Sequence, residues 1–259
     1  MIEEYLRRIG YDGARKPTVD VLRALHERHL CSVPFENLDI HWKRTIVPDL
    51  ERILAKIVHE RRGGFCYELN GAFGALLRAL GFDVAMLSGR VVTPEGGFGP
   101  PFDHMALMVR AGDGTRWLAD VGFGDSFLLP LALDERGPQR DPAGVFRIEG
   151  GGESRIENDA EWQMLVQRGD AWFPEYRFTL EPQPLEAFAE MCAWQQTSPQ
   201  SSFTKRRICT LPTEWGRLTI TDGRVITTRG GVREERAVAD DEWERELAAL
   251  FGIRRESAV

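Results

Sequence analysis

Apolar residues recur at helical spacing through the first third of the chain. Leu22, Leu25, His26 and His29 share one helix face, and Leu50, Ile53, Leu54 and Ile57 share another. Between them, Cys31-Ser-Val-Pro-Phe-Glu-Asn-Leu38 interrupts the pattern at Pro34, which cannot continue a helix. A second break, Arg61-Arg62-Gly63-Gly64, precedes Phe65-Cys66-Tyr67-Glu68-Leu69. From there Leu69, Ala72, Phe73, Leu76, Leu77 and Leu80 form a third apolar face, closed by Gly81 as its C-terminal stop. Residues 1 to about 87 therefore read as helical.

After Gly81 the period changes. Short runs rich in Val, Met, Leu and Trp alternate with Gly, Asp and Pro clusters, the signature of antiparallel strands and turns, with most strands expected between about 88 and 190. The loop Pro94-Glu-Gly-Gly-Phe-Gly-Pro-Pro101 interrupts them. Farther on, 218–220 and 225–228 read as strands and about 241–251 as a terminal helix. No internal repeat is visible. Helices first, then sheet, then a small mixed piece predict an α+β fold.

Composition narrows the function. A chain of 259 residues buries roughly three quarters of its unfolded surface and needs no covalent staples. It is 42% hydrophobic and 28% charged, with no apolar run long enough for a bilayer span and no basic, apolar leader at Met1. A net charge of −7 argues against nucleic acid and other polyanions. The expectation is a cytoplasmic protein, off the membrane. Cys31, Cys66, Cys192 and Cys209 are widely spaced, which suits reduced thiols rather than a disulfide framework. With five histidines and no CxxC pair, no metal site is expected. His26 and His29 can share a face but lack a third ligand, and His41 and His59 have no telling neighbours.

Cys66 follows a Gly-Gly break and opens a helix, where free backbone N–H groups and the helix dipole favour a thiolate. Arg61 and Arg62 are expected to add positive charge, and the glycines to let a ligand approach the backbone. A structural cysteine is the plainer alternative. A partner base comes from the hairpin His104-Met-Ala-Leu-Met-Val-Arg110, Ala111-Gly-Asp-Gly114, Thr115-Arg-Trp-Leu-Ala-Asp120. A turn centred on Gly112 sets His104 opposite Asp120, and one centred on Asp113 makes them diagonal neighbours. Either odd-length loop puts both on one face; an even one would separate them unless a bulge intervened. An aspartate on one ring nitrogen leaves the other free to take a thiol proton, giving a nucleophilic thiolate–imidazolium pair.

These residues resemble one family, the arylamine N-acetyltransferases. Arg62-Gly-Gly-Phe-Cys66-Tyr-Glu-Leu-Asn70 is similar to its cysteine motif, with Tyr67 where Phe is more usual. Pro34-Phe-Glu-Asn-Leu38, Asp120-Val-Gly-Phe-Gly124 and Thr197-Ser-Pro-Gln-Ser-Ser-Phe203 resemble three further segments in family order. The loop Gly96-Gly-Phe-Gly-Pro-Pro-Phe-Asp103 departs from the family in its richness in Gly, Pro and Phe. The resemblance implies a helical bundle (1–87), an antiparallel β-barrel (88–192) and an α/β lid (193–259), with Cys66, His104 and Asp120 as a triad. It implies acetyl-CoA as donor, near Gly99, Pro100, Pro101 and Gly124, and a small arylamine, arylhydrazine or hydrazide acceptor near Phe35, Asp103 and Phe123. A monomer or weak homo-oligomer is expected.

Three other readings compete. An amide synthase closing a macrolactam from a carrier-bound polyketide would keep the same triad. A papain-like peptidase shares the Cys-then-His order, but its histidine lies about 130–150 residues downstream. A catalytically dead binding module would have lost a triad member, and all three residues are present.

Overall fold

The computed structural model describes residues 1–150 and 161–255. Its first third comprises α1 (Ile2–Arg8), α2 (Val19–Leu30), strand β1 (Phe35–Glu36), α3 (Leu38–His41), α4 (Leu50–Leu54) and α5 (Cys66–Ala79). Side-chain oxygens start two of these helices: Thr18 accepts from the Val21 N–H at 3.4 Å and Asp49 from the Arg52 N–H at 2.9 Å. The turn after α4, Ala55–His59, is π-helical and holds the buried Lys56. Helix α5 is buried on every face from Cys66 to Gly74, as befits a core helix rather than an amphipathic surface one.

An eight-stranded antiparallel sheet follows: β2 (Asp83–Val91), β3 (His104–Arg110), β4 (Arg116–Ala119), β5 (Leu131–Ala132), β6 (Gln139–Asp141), β7 (Gly144–Gly150), β8 (Trp162–Arg168) and β9 (Ala171–Gln183). Its spatial order is β5-β4-β3-β2-β9-β8-β7-β6, and it curls into a nearly closed barrel, with β5 coming against β7. Leu87, Ala106, Leu118, Phe127, Ile148 and Tyr176 fill its interior. The outer side of β2 and β3 packs on α5, so the barrel wall and the core helix share one apolar core. The first barrel strand starts at Asp83, directly after α5, earlier than the expected position near 88.

The remainder adds α6 (Ala189–Thr197), α7 (Ser202–Lys205), β10 (Ile208–Thr213), β11 (Gly216–Thr221), β12 (Arg224–Arg229), β13 (Val232–Ala237) and α8 (Trp243–Phe251). Four strands stand here where the sequence pattern shows two. The extra ones hide for a physical reason. β13, Val-Arg-Glu-Glu-Arg-Ala, is exposed throughout and has no alternating apolar face, and β10 contains Pro212. This sheet also recruits β1, which pairs antiparallel with β10 and bridges to Gly64. The Pro34 break and the Gly63-Gly64 break thus lie side by side.

A buried ionic cluster fastens these breaks together. Arg62 donates to Glu36 at 2.7 Å and to Asp39 at 3.0 Å, Lys56 reaches Asp39 and Glu68 at 2.7 Å each, and Arg62 stacks 4.5 Å over the Trp42 ring. Removing one partner from such a cluster strands charge in a dry site. Arg62→Ala is expected to cost about 3–5 kcal/mol, lowering Tm by on the order of 10 °C in a thermal melt. An unchanged melt would mean that the cluster contributes nothing to stability.

Candidate active site

Cys66 is the first residue of α5 and is 4% exposed. The preceding Phe65 N–H donates to the Glu68 carboxylate at 3.2 Å, which is the glutamate half of a capping box. The same carboxylate takes the Lys56 ammonium at 2.7 Å, so the open end of α5 is anchored to the ionic cluster beneath it. Burial pushes the Glu68 carboxyl up to about 7, against the pull of Lys56. Arg61 and Arg62 do not serve the thiol as expected. Arg62 is spent on Glu36 and Asp39, and Arg61 is exposed. The N–H groups of Cys66 and Tyr67 donate no hydrogen bond among the described residues.

The hairpin carries the other two groups. Its loop is Gly112-Asp113-Gly114, with the Ala111 N–H bonding the Thr115 carbonyl at 3.0 Å. Arg110 faces Arg116 and Leu107 faces Ala119, so the turn centres on Asp113. His104 and Asp120 are then diagonal neighbours on one face. The His104 Nε2 meets the Asp120 Oδ2 at 2.7 Å, with both side chains at most 3% exposed. Burial disfavours charge on His104. Asp120, by charge and hydrogen bond, and Cys66 override it and push the imidazole up to about 10. Burial also opposes ionisation of Asp120, yet His104, the Asn70 amide and the Gly122 N–H hold its carboxyl below the usual carboxylate range.

Three groups fix Asp120 in place. Asn70 Nδ2 donates to its Oδ1 at 2.9 Å and to the Met105 carbonyl at 2.6 Å, while Asn70 Oδ1 accepts from the Val121 N–H at 3.0 Å. The Gly122 N–H adds a bond to Oδ1 at 3.0 Å. The Asp120 N–H donates to His26 Nε2 at 3.0 Å, so His26 carries its proton on Nδ1 and gives it to the Leu128 carbonyl at 2.7 Å. Burial holds the His26 imidazole below its ordinary value, which suits this neutral acceptor role. Gly122 permits the close approach of the strand end to α5: a Cβ there would stand 2.7 Å from the Cys66 Cα.

Cys66 and His104 open onto a pocket of about 230 Å³ with Phe35, Val91, Asp103, Gly122, Phe123, Gln195, Ser202 and Phe203 around it. Of the expected site residues, Phe35, Asp103 and Phe123 lie on this wall. Gly99, Pro100, Pro101 and Gly124 lie off it. Gly99 is tied to β2 through the Val91 carbonyl at 2.8 Å, Pro100 and Pro101 are exposed, and Gly124 gives its carbonyl to Arg217 and backs the Phe35 ring.

A family model described as N-acetyltransferase matches residues 18–258. The arylamine N-acetyltransferase of Escherichia coli is 34% identical over 99% of this chain and 87% of its own length. The chain belongs to the arylamine N-acetyltransferase family. It is accordingly an acyltransferase. Among solved structures of this family, that of Nocardia farcinica is 35% identical with a TM-score of 0.86, covering 98% of this chain and 90% of that one. That of Mycobacterium marinum in complex with CoA is 29% identical with a TM-score of 0.87, covering 98% and 93%.

Within this arylamine N-acetyltransferase fold, the sequence patterns did not single out His26, Tyr176 or Gln195 and gave Asn70 and Ser202, both inside quoted motifs, no role. For Asn70 a signal existed: it lies four residues after Cys66 and so on the same helix face. His26 read as bland because its partners, Asp120 and Leu128, are about a hundred residues away. The Tyr176 ring lies 4.9 Å from His104, tilted by 54°, and its place beside that histidine is set only by the barrel's strand order.

Proposed function

We propose that the chain transfers an acetyl group from acetyl-CoA to an arylamine, arylhydrazine or hydrazide by a ping-pong cycle through acetyl-Cys66. The observation that carries this is geometric: Asp120 holds the His104 imidazole at 2.7 Å, and His104 and Cys66 open onto one pocket; Asp120 and Cys66 push that imidazole up against burial. Such an imidazole stands as a cation beside sulfur, leaving the thiolate free to attack the thioester carbonyl. The carbon–sulfur bond to CoA then breaks, and CoA leaves as a thiol with the proton from His104. Acetylation removes the sulfur's charge and hydrogen bond, two of the influences that raise His104, so the imidazole returns toward a useful base. It then takes the proton of the attacking amine as the new amide forms and the Cys66 thiolate is expelled. The free N–H groups of Cys66 and Tyr67 are positioned to hold the carbonyl oxygen as it gains charge.

The CoA-bound Mycobacterium marinum relative supports acetyl-CoA as donor, and the relatives' names support small aromatic acceptors. Macrolactam closure gains no support from them. We place the enzyme in the cytoplasm, where thiols stay reduced, as Cys66 must be; no helix among the described residues is long and apolar enough to cross a membrane. Intact mass after mixing with acetyl-CoA alone tests the scheme: one acetyl group on Cys66, discharged by an added arylamine, is the expected result. Consumption of acetyl-CoA only when both substrates are present, with no acetyl-enzyme, would overturn it.

The raised histidine also makes stability depend on pH. An imidazole moved from 6.5 to about 10 keeps its proton in the folded chain where the unfolded chain has lost it. Its contribution is complete below pH 6.5 and lost as pH climbs to about 10. Thermal melts of wild type and His104→Asn should differ most near pH 6 and converge progressively toward pH 10. A constant gap over that range would mean that His104 is not a standing cation.

A further inference from the structure

A pocket of about 230 Å³ holds one aromatic ring and its substituents and little more. Three phenylalanine rings, Phe35, Phe123 and Phe203, supply its apolar wall, and Gln195 and Ser202 supply neutral polar groups. Asp103 is different. Apart from Cys66 and His104, it is the one ionisable side chain among the described residues on this wall.

The carboxylate is held in a built position. Its Oδ1 accepts from the Val91 N–H at 2.9 Å, and its Oδ2 packs where a Cβ on residue 99 would stand 1.8 Å away, so Gly99 is the residue that admits it. The preceding Phe102 is a non-glycine residue at φ 67, pinned through its N–H to Ser88 at 2.9 Å and through its carbonyl to the Tyr67 hydroxyl at 2.8 Å. Such a conformation persists only where its surroundings over-determine it. No ion pair among the described residues neutralises Asp103. Of the two cations near it, His104 is held by Asp120 at 2.7 Å, and Arg90 is committed to the Gly99 carbonyl at 2.8 Å and to Glu161 at 3.3 Å. Burial raises the Asp103 carboxyl to about 6, opposed by the Val91 N–H, His104 and Arg90, so above neutral pH it is charged.

We propose that Asp103 sets the charge of the acceptor, favouring neutral or cationic aromatic amines and hydrazines and rejecting those that carry a ring carboxylate. This rests on the arylamine-acetylating reading above. In a pocket this small, a para substituent lies within about one ring length of Asp103, where two like charges repel enough for about a tenfold loss of efficiency. A neutral substituent that donates a hydrogen bond feels no such repulsion and meets an acceptor in the carboxylate.

The test is a matched pair of near-equal shape, 4-aminobenzamide and 4-aminobenzoate, acetylated with acetyl-CoA at pH 8. Wild type should prefer the amide by about tenfold in kcat/KM, chiefly through KM, although the carboxylate leaves the ring amine the more nucleophilic of the two. Asp103→Asn keeps an acceptor for the Val91 N–H and should shrink that ratio about tenfold through a gain on the anionic acceptor. Equal efficiency of the pair in wild type overturns the proposal without using any variant. A ratio unchanged in Asp103→Asn, with altered acetylation of Cys66 by acetyl-CoA alone, also overturns it and puts Asp103 on the coenzyme side. Failure of wild type to acetylate either compound removes the acetyl-transfer reading itself, a distinguishable result.

Discussion

Cys66→Ser should lose at least about 10⁴-fold in kcat/KM for arylamine acetylation, with the fold intact. The substitution barely changes volume at a site 4% exposed, and Glu68 still caps the helix. In the proposed cycle, what it removes is the sulfur nucleophile that pairs with His104. His104 is raised to about 10 partly by its contact with Cys66, and a serine hydroxyl does not give up its proton to that imidazole at neutral pH. The attacking atom is then a neutral hydroxyl facing a cation that has no reason to accept another proton. Intact mass reads the outcome directly: wild type gains one acetyl group from acetyl-CoA and the serine variant gains none. Turnover near the wild-type rate by the variant would falsify the covalent scheme.

Asp120→Asn should cost about 10³–10⁴-fold in kcat/KM. Asp120 Oδ1 accepts from Asn70 and Gly122, and an asparagine keeps those bonds by placing its oxygen there. Its amide nitrogen then faces His104 Nε2, which must turn from donor to acceptor. The imidazole proton moves to Nδ1, the nitrogen that should receive the thiol proton, and the ring loses the neighbouring charge that raised it. Alkylation of Cys66 by iodoacetamide at neutral pH should slow in parallel with kcat. Unaltered alkylation together with lost turnover would mean that Asp120 acts on a later step than thiol activation.

Much of this was legible in local patterns. The helix beginning at Cys66 announces itself by an apolar face at 3.6-residue spacing, and the hairpin by alternation around Gly-Asp-Gly. Side-chain parity puts His104 and Asp120 on one face for any odd-length loop, and pairing through Leu107 and Ala119 then makes them diagonal rather than opposite. Other features left no local trace. Arg62 looks like a charge beside the thiol, yet Glu36 and Asp39 claim it from the segment after Pro34. Strand β13 has no apolar alternation because both its faces are wet, and only its pairing with β12 makes it a strand.

Local sequence was enough for the core helix, the hairpin that carries His104 and Asp120, and the family, because periodicity, turn chemistry and motif order are properties of short stretches of chain. Only the assembled fold brings Cys66 to the hairpin, sets His26 and Asn70 to hold Asp120, and puts Asp103, with no ion pair among the described residues, on the wall of the pocket that Cys66 and His104 share. Each of those facts joins residues tens of positions apart. Which distant groups meet depends on how barrel and helix bury a common apolar surface, and no stretch of sequence carries that information on its own.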